Sequence, residues 1–265
     1  EYQSKNTNAR TQVPEISLLE WHTFSVSCAP DDANKSGLYE LTFHCGDVHA
    51  KGSFTNRLRM LCNNGGPKKK DVKIHLDGPF GNYGLNLNEF ESVVIFAGGM
   101  GITPMISIYS DLMWRHERGE LPNLERCRLV FASRNAAQFT WFQSVYDRSD
   151  RSTPFECEFY LTSSKTQDGG SSFTRRVGQG RPNIDKIIEE SSKSSRHVEQ
   201  DEENTKTKSS IKPLMIAPAG ERAAEVKTQT FSCAVLTCGP KSMMDAAHDS
   251  AWSRGMAFHK ETYKL

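Results

Sequence analysis

The 265-residue chain contains no run of about 18 apolar residues, so none of it reads as a membrane-spanning helix. It also lacks a surplus of charge of either sign, with 33 Lys and Arg against 32 Asp and Glu. That balance removes the global field expected of a nucleic-acid binder or of a polybasic membrane partner. The seven cysteines include no C-x-x-C pair and no regular spacing. Such a pattern speaks for reduced, intracellular thiols and against a disulfide framework. Metal-ligand spacing is missing as well: His44, Cys45 and His49 come nearest, but they lie beside Phe43 on alternating strand positions, and no metal is expected. Core-forming material is in short supply, with 37% hydrophobic residues and a mean hydropathy of −0.58, so part of the chain should lie outside any core.

What is present divides into two rhythms. Residues 1–15 are polar and read as loop. Trp21 to Ser27 is a β-prone run, and Leu38 to Cys45 alternates as a second strand. Trp21 and Phe24 have core packing as their ordinary reading, preferred for Trp21. Gly52, Ser53 and Thr55 precede a short amphipathic segment, Asn56 to Leu61; a glycine with hydroxyls there serves either as a plain helix cap or as a phosphate cradle. Lys68 to Lys70 reads as a solvated hairpin tip. Val72 to Leu76 alternates as a strand that the turn cluster Asp77-Gly78-Pro79-Phe80-Gly81 ends. Strands at this spacing without long helices suggest a small antiparallel barrel, incomplete at its start, over residues 1–88.

From residue 89 strand and helix alternate. Strands are expected at Val93–Ala97, Cys127–Ser133, Phe155–Thr162, Phe231–Cys238 and Met256–Tyr263, and helices at 105–116, 139–146, 184–189 and 243–255. This predicts a parallel-sheet α/β domain over 89–265 with helices on both faces. Ser163–Gly180 and Ser191–Thr230, rich in Ser, Lys, Glu and Thr, read as insertions, the second largely disordered.

The chain is organised around Val93 to Pro104. An apolar strand runs into Gly98, Gly99 and Gly101, then Thr103 and Pro104 open a helix. Glycine lets the backbone approach a phosphate, helix-start N–H groups attract it, and Pro is tolerated where an N–H has no partner to lose. An ordinary glycine-rich turn is the competing reading. Pro104 stands where the G-x-G-x-x-G fingerprint has its third glycine.

Taken together, the ordered motifs resemble the dehydrogenase region of the NADPH oxidase and ferric reductase family, within the wider ferredoxin–NADP reductase fold. Leu19 to Pro30 resembles the family's flavin motif, and Leu76 to Gly81 the segment ending its flavin domain. Gly98 to Pro104 resembles the shorter nicotinamide-nucleotide loop. Gly180-Arg181-Pro182-Asn183 and Cys238-Gly239-Pro240 resemble two further nucleotide-contacting motifs, and Phe258 to Tyr263 the terminal aromatic motif.

The resemblance implies FAD near His22, Phe24 and Ser25, with its pyrophosphate at Gly52, Ser53 and Thr55 and Arg57 assisting. It implies NADPH on Gly98 to Pro104, with Arg181 beside Pro182 at the 2′-phosphate and Arg134 as a second candidate; both arginines could equally be surface residues. Guanidinium meets phosphate oxygens with two bonds at once. Cys238 would face the nicotinamide beside Gly239 and Pro240, against the ordinary reading of a buried thiol. Tyr263 would cover the flavin and move aside, although Lys264 and Leu265 follow it. Thr23 replaces the family's usual proline and leaves the hydroxyl position intact.

About two further barrel strands are expected upstream by the fold's usual pattern. With them would come a transmembrane haem domain of the same protein, which would place this chain at the cytosolic face of a membrane, by expectation the plasma membrane. The implied activity is NADPH-dependent flavin reduction, with electrons passing to haem and oxygen to give superoxide. Ferric-chelate reductase is the alternative within the family. A soluble flavin reductase, and a regulatory module that has lost flavin, are the others.

Overall fold

A computed structural model describes residues 8–29, 42–44, 51–63, 72–81, 84–163, 173–193 and 232–262. The lysine run at 68–70, most of the strand expected at 38–45, nearly all of the 191–230 insertion and Tyr263 lie outside the described residues.

Strand β4, Ser92–Gly98, is buried along its whole length, as a continuous apolar run in a parallel sheet must be. It pairs in parallel with β5 (Arg126–Ser133) on one side and β8 (Cys233–Cys238) on the other. Adding β6 (Phe155–Leu161), β7 (Val177–Gln179) and β9 (Ala257–Lys260) gives a six-stranded sheet of order β7-β6-β5-β4-β8-β9. Helices cover both faces. Val93, Ile95, Leu236 and Cys238 face α2 (Ile102–Glu117), and the same layer holds α3 (Gln143–Ser149). Val94, Phe96 and Val235 face α4 (Ile184–Ser191) and α5 (Lys241–Ser253). The predicted α/β class is therefore observed.

Because the chain proceeds outward from β4 to β5, β6 and β7, then returns to β8 on the opposite side of β4, strand order reverses between β4 and β8. Ligands of open α/β sheets bind at this point, beyond the carboxyl ends of the strands. Here the two strand ends meet very closely. A Cβ on Gly101 would stand 2.1 Å from the Cys238 carbonyl oxygen, and one on Gly98 2.4 Å from the Pro240 ring. One on Gly239 would stand 2.8 Å from the Gly98 Cα. Gly101 and Gly239 are required by backbone against backbone, and Gly98 by the rigid Pro240 ring.

The smaller sheet is antiparallel, of order β2-β1-β3, with β1 Asn8–Gln12, β2 His22–Ser25 and β3 His75–Phe80. Helix α1, Phe54–Asn63, lies between β2 and β3 in the chain. Several expectations need correcting. The polar start is not all loop: β1 is the central strand, with Ala9, Thr11 and Gln12 buried. Its polar side chains are satisfied locally, Gln12 by the Leu18 carbonyl and His75 Nδ1, Thr11 by the His22 carbonyl. The turn cluster at 77–81 does not end a strand but is mostly within one, since β3 pairs with β1 from His75 to Phe80 through a register shift near Asn8, and Gly78 at φ +136° tolerates it.

Trp21 is 37% exposed with the Arg10 guanidinium 5.6 Å above it, not core. The helix expected at 139–146 is broken into a 3-10 turn, Ala136–Thr140, and α3, although Phe139 and Phe142 are both buried as their spacing required. The first supposed insertion contributes β7 and Phe173, which packs on Phe159 and Phe139.

The two sheets touch through specific contacts. Ser107 of α2 donates to the Cys28 carbonyl at 2.8 Å. His44 stacks on Trp141 at a centroid distance of 5.5 Å and meets Phe142 at a tilt, 4.5 Å away.

Gly101→Ala should cost about 1–3 kcal/mol or more, because the carbonyl it meets belongs to the backbone and cannot rotate away. Gly180→Asn, at φ +85° with open space around it, should stay within about 0.5 kcal/mol, since Asn tolerates the left-handed region. Urea denaturation of both variants measures the contrast; equal losses would mean that the β4 and β8 ends are not pressed together.

Candidate functional site

A cavity of about 850 Å³ opens at the carboxyl ends of β4, β5 and β6. Of the residues nominated from sequence, Gly98, Gly99, Arg134, Arg181, Pro182 and Pro240 line it. Gly99, at φ +54° with nothing within 4 Å of a Cβ, is the glycine of the loop whose backbone is open on that side. Gly101, Gly239 and Cys238 support the cavity from behind. Cys238 is 1% exposed and sits in the α2-facing core, so its ordinary buried reading describes its place here. Thr103 and Pro104 are buried in the first turn of α2, where the Thr103 hydroxyl donates to the Met100 carbonyl at 3.0 Å.

Arg134 follows the end of β5, and Arg181 sits in the turn from β7 to α4. Gly180 supplies the left-handed residue of that turn, and Asn183 caps α4 by accepting from Lys186 N at 3.1 Å. The local sequence thus makes a tight turn that leaves Arg181 exposed at the cavity. Neither Arg134 nor Arg181 has a hydrogen bond or ion pair with another described residue. Arg175 and Arg254, by contrast, are committed to carboxylates.

Polar groups that sequence reasoning did not nominate complete the lining. Ser133 donates to Gln138 Oε1 at 2.6 Å, and Asn135 accepts from Ala137 N at 3.0 Å. Their only sequence signal is position, just past a buried strand. What the cavity offers chemically is a cleft of nucleotide size with two uncommitted cations and free backbone at a strand-order reversal.

The other nominated group assembles on the small sheet. His22 stacks on Phe54 at 5.1 Å with 6° between the planes, and Phe24 leans on both rings. Phe54 is the first residue of α1, so this stack brings His22, Phe24 and Ser25 near Gly52, Ser53 and Thr55. Ser53 accepts from Asn56 N at 3.3 Å, the capping use of that hydroxyl, and no acidic residue occupies the first turn of α1. An anion is compatible with such an end. Arg57 pairs with Glu20 and donates to the Ile16 carbonyl, while its Nε has no hydrogen-bond partner among the described residues.

The Ser25 hydroxyl, nearly buried, donates to Asn8 Oδ1 at 3.0 Å, and Asn8 Nδ2 donates to Glu261 Oε1 at 3.2 Å. Glu261 also faces His259 Nε2 at 3.1 Å. This chain of contacts ties the small sheet to the end of β9, and nothing in the spacing of residues 8 and 261 announced it.

Burial lowers the pKa of both His22 and His44 below 6.5, with the charge of Glu20 opposing the shift at His22. Their environments therefore favour neutral rings.

Residues 90–251 match the ferric reductase NAD binding domain family, and the chain belongs to that family. It is 30% identical to rat dual oxidase 2 over 128 residues, 48% of this chain and 8% of that protein. With mouse NADPH oxidase 1 it shares 27% identity over 134 residues, 50% of this chain and 21% of the relative. The matched part is thus a minor fraction of the length of these relatives. The fold is that of the Plasmodium falciparum ferredoxin-NADP+ reductase solved with 2'P-AMP (TM-score 0.55, 13% identity, 99% of this chain and 84% of that one). The cytochrome b5 reductase domain of Ulva prolifera nitrate reductase is also similar (TM-score 0.52, 13% identity, 98% and 84%). Both comparisons match a small antiparallel sheet followed by the parallel-sheet domain.

A histidine favoured neutral in the fold binds its proton more readily when unfolded. Stability should be full above pH 6.5 and fall as pH drops through that value towards the lower folded pKa. Thermal melts between about pH 7.5 and 5 should show this fall, and His44→Gln should shallow it while leaving the share of His22. An unchanged slope in H44Q would remove His44 from the account.

Proposed function

We propose that this chain is the NADPH-dependent flavin dehydrogenase module of a membrane NADPH oxidase. The observation that carries the reading is the cavity at the β4/β8 reversal with Arg134 and Arg181 uncommitted on its wall. NADPH lies along this cavity, its phosphate-bearing adenosine end towards Arg181 and Arg134 and its nicotinamide end towards Cys238-Gly239-Pro240. Guanidinium is suited to the added 2′-phosphate because it offers paired donors in one plane. The similarity to an NADPH oxidase and a dual oxidase supports the choice of nucleotide and of reaction class.

The residues of the small sheet fit a flavin. The His22, Phe24 and Phe54 rings provide an apolar flank, Ser25 holds a fixed hydroxyl, and the start of α1 accepts a pyrophosphate. The chemistry that FAD supplies when bound is the conversion of a two-electron hydride donor into single-electron transfer. The chain's own work is positioning: the pressed glycines hold the nucleotide loop at fixed distance from β8, and the Ser25-Asn8-Glu261 contacts hold the small sheet against β9. Tyr263, which lies outside the described residues, is the residue that would cover the flavin. In the whole protein the acceptors beyond this chain are haem in a membrane domain and then oxygen, which sets the module on the cytosolic side of that membrane. Ferric chelate is the second reading, because the matched family is described by ferric reductase.

The protein carrying this chain together with its upstream strands should show flavin absorbance and NADPH-dependent dye reduction. Absence of both would sink the enzyme reading, and oxygen against ferric-chelate consumption separates oxidase from reductase. Arg181→Ala should weaken NADPH by roughly 10- to 100-fold, the value of about 1.5–3 kcal/mol for a charge-assisted contact, and leave NADH nearly unchanged. Equal loss for both nucleotides would refute the 2′-phosphate role.

A further inference from the structure

The cavity wall opposite the nucleotide loop carries negative charge as well as positive. Asp185, in the first turn of α4, lines the cavity only four positions after Arg181. An open carboxylate there would repel the same phosphate that Arg181 attracts. It is not open. Its Oδ1 accepts from Arg254 Nη1 at 2.8 Å and from the Ser250 hydroxyl at 2.8 Å. Arg254, at the end of α5, also reaches the Ser250 carbonyl at 3.0 Å, its Oγ at 2.8 Å and the Ser253 Oγ at 3.4 Å, so one guanidinium nitrogen stands near four acceptors at a helix end.

We propose that Arg254 is a specificity-determining residue that acts through Asp185: by neutralising that carboxylate and holding the start of α4 against α5, it lets Arg181 discriminate in favour of a 2′-phosphorylated nucleotide. Arg254 is not among the residues lining the cavity, and its role is positioning rather than contact. The inference rests on the proposed NADPH site.

Two features of the geometry support a coupled role. Asp185 and Arg254 come from different helices 69 positions apart, and the bond between them fixes how far the Arg181 turn stands from α5. Hydrogen bonds from Arg254 first, then Ser250, hold the Asp185 carboxyl below its usual range, in keeping with a carboxylate charge that Arg254 offsets. The purely structural alternative is that Asp185 and Arg254 merely complement the dipoles of α4 and α5, a favourable placement for an acid at a helix start and a base at a helix end. That alternative predicts lost stability without a change in nucleotide preference.

Binding of NADPH, NADH and 2′,5′-ADP to the full protein distinguishes the two. Arg254→Ala should weaken NADPH and 2′,5′-ADP by roughly three- to tenfold, with NADH within about twofold, as expected when a partly exposed charge pair is broken. Arg254→Lys should keep most of the preference. Asp185→Asn added to R254A should restore it, because the repelling charge is then gone. Should R254A fail to fold, Arg254→Gln, with and without D185N, replaces it. An unchanged NADPH-to-NADH ratio in R254A or R254Q overturns the inference, and so does a double variant no better than the single. Failure of the underlying site looks different: the unsubstituted protein would then itself show no preference for NADPH over NADH.

Discussion

Two backbones, the end of β4 and the turn after β8, approach so closely that no side chain fits between them. The cavity beyond the strand ends is placed by that contact. Gly98 and Gly101 yield to Pro240 and the Cys238 carbonyl, Gly239 yields to Gly98, and the helix that follows Gly101 begins at a set height above the sheet. The cavity exists because strand order reverses at this same contact, leaving the helices on either side free to diverge. A glycine-rich turn after a strand suggests room for a phosphate. Most of the room at these glycines is filled by protein, and Gly99 alone of the loop's glycines combines cavity lining with open space and a left-handed backbone.

The electrostatics of the cavity follow a similar economy. Some described arginines are committed to carboxylates, such as Arg175 with Asp147 and Asp150, whereas Arg134 and Arg181 at the cavity are not. An exposed arginine has many reasons to exist, and a loop position alone does not separate them. What separates these two is their shared wall and the missing carboxylate partner. Asp185, whose charge would work against them, is held by Arg254 and Ser250, which leaves Asp249, beside His248, as the other acidic residue on the wall.

On the small sheet the organising contact is aromatic. The stack of His22 on Phe54 joins β2 to the start of α1 and thereby gathers two motifs some thirty residues apart in the chain into one neighbourhood. The Ser25-Asn8-Glu261 series then fastens that neighbourhood to β9 across the boundary between the sheets. His44 against Trp141 and Phe142 is a second fastening, made by a residue whose neutral state its burial favours. Membership of the ferric reductase NAD binding domain family accounts for the parallel-sheet part. The small sheet enters through the fold it shares with the reductases.

Apolar periodicity by itself determined the parallel sheet and the helices on its two faces, because a strand buried on both sides must be apolar throughout, as Val93 to Ala97 is. It also determined that Phe139 and Phe142 would be buried, though not that their segment would break into a 3-10 turn and a short helix. Other features were decided by tertiary structure alone. β1 carries one apolar side chain, Ala9, and becomes a strand because β2 and β3 satisfy its backbone from both sides. β3 runs through a Gly-Pro turn signal because its partner's register shift absorbs the irregularity. Local patterns report how a segment buries its own side chains. They carry no record of which distant backbone will press against a glycine, or which arginine will find an aspartate 69 positions away. At the loop from Val93 to Pro104, the residues announced a turn, and only the packing of β8 against it decided which of its glycines were left open to a ligand.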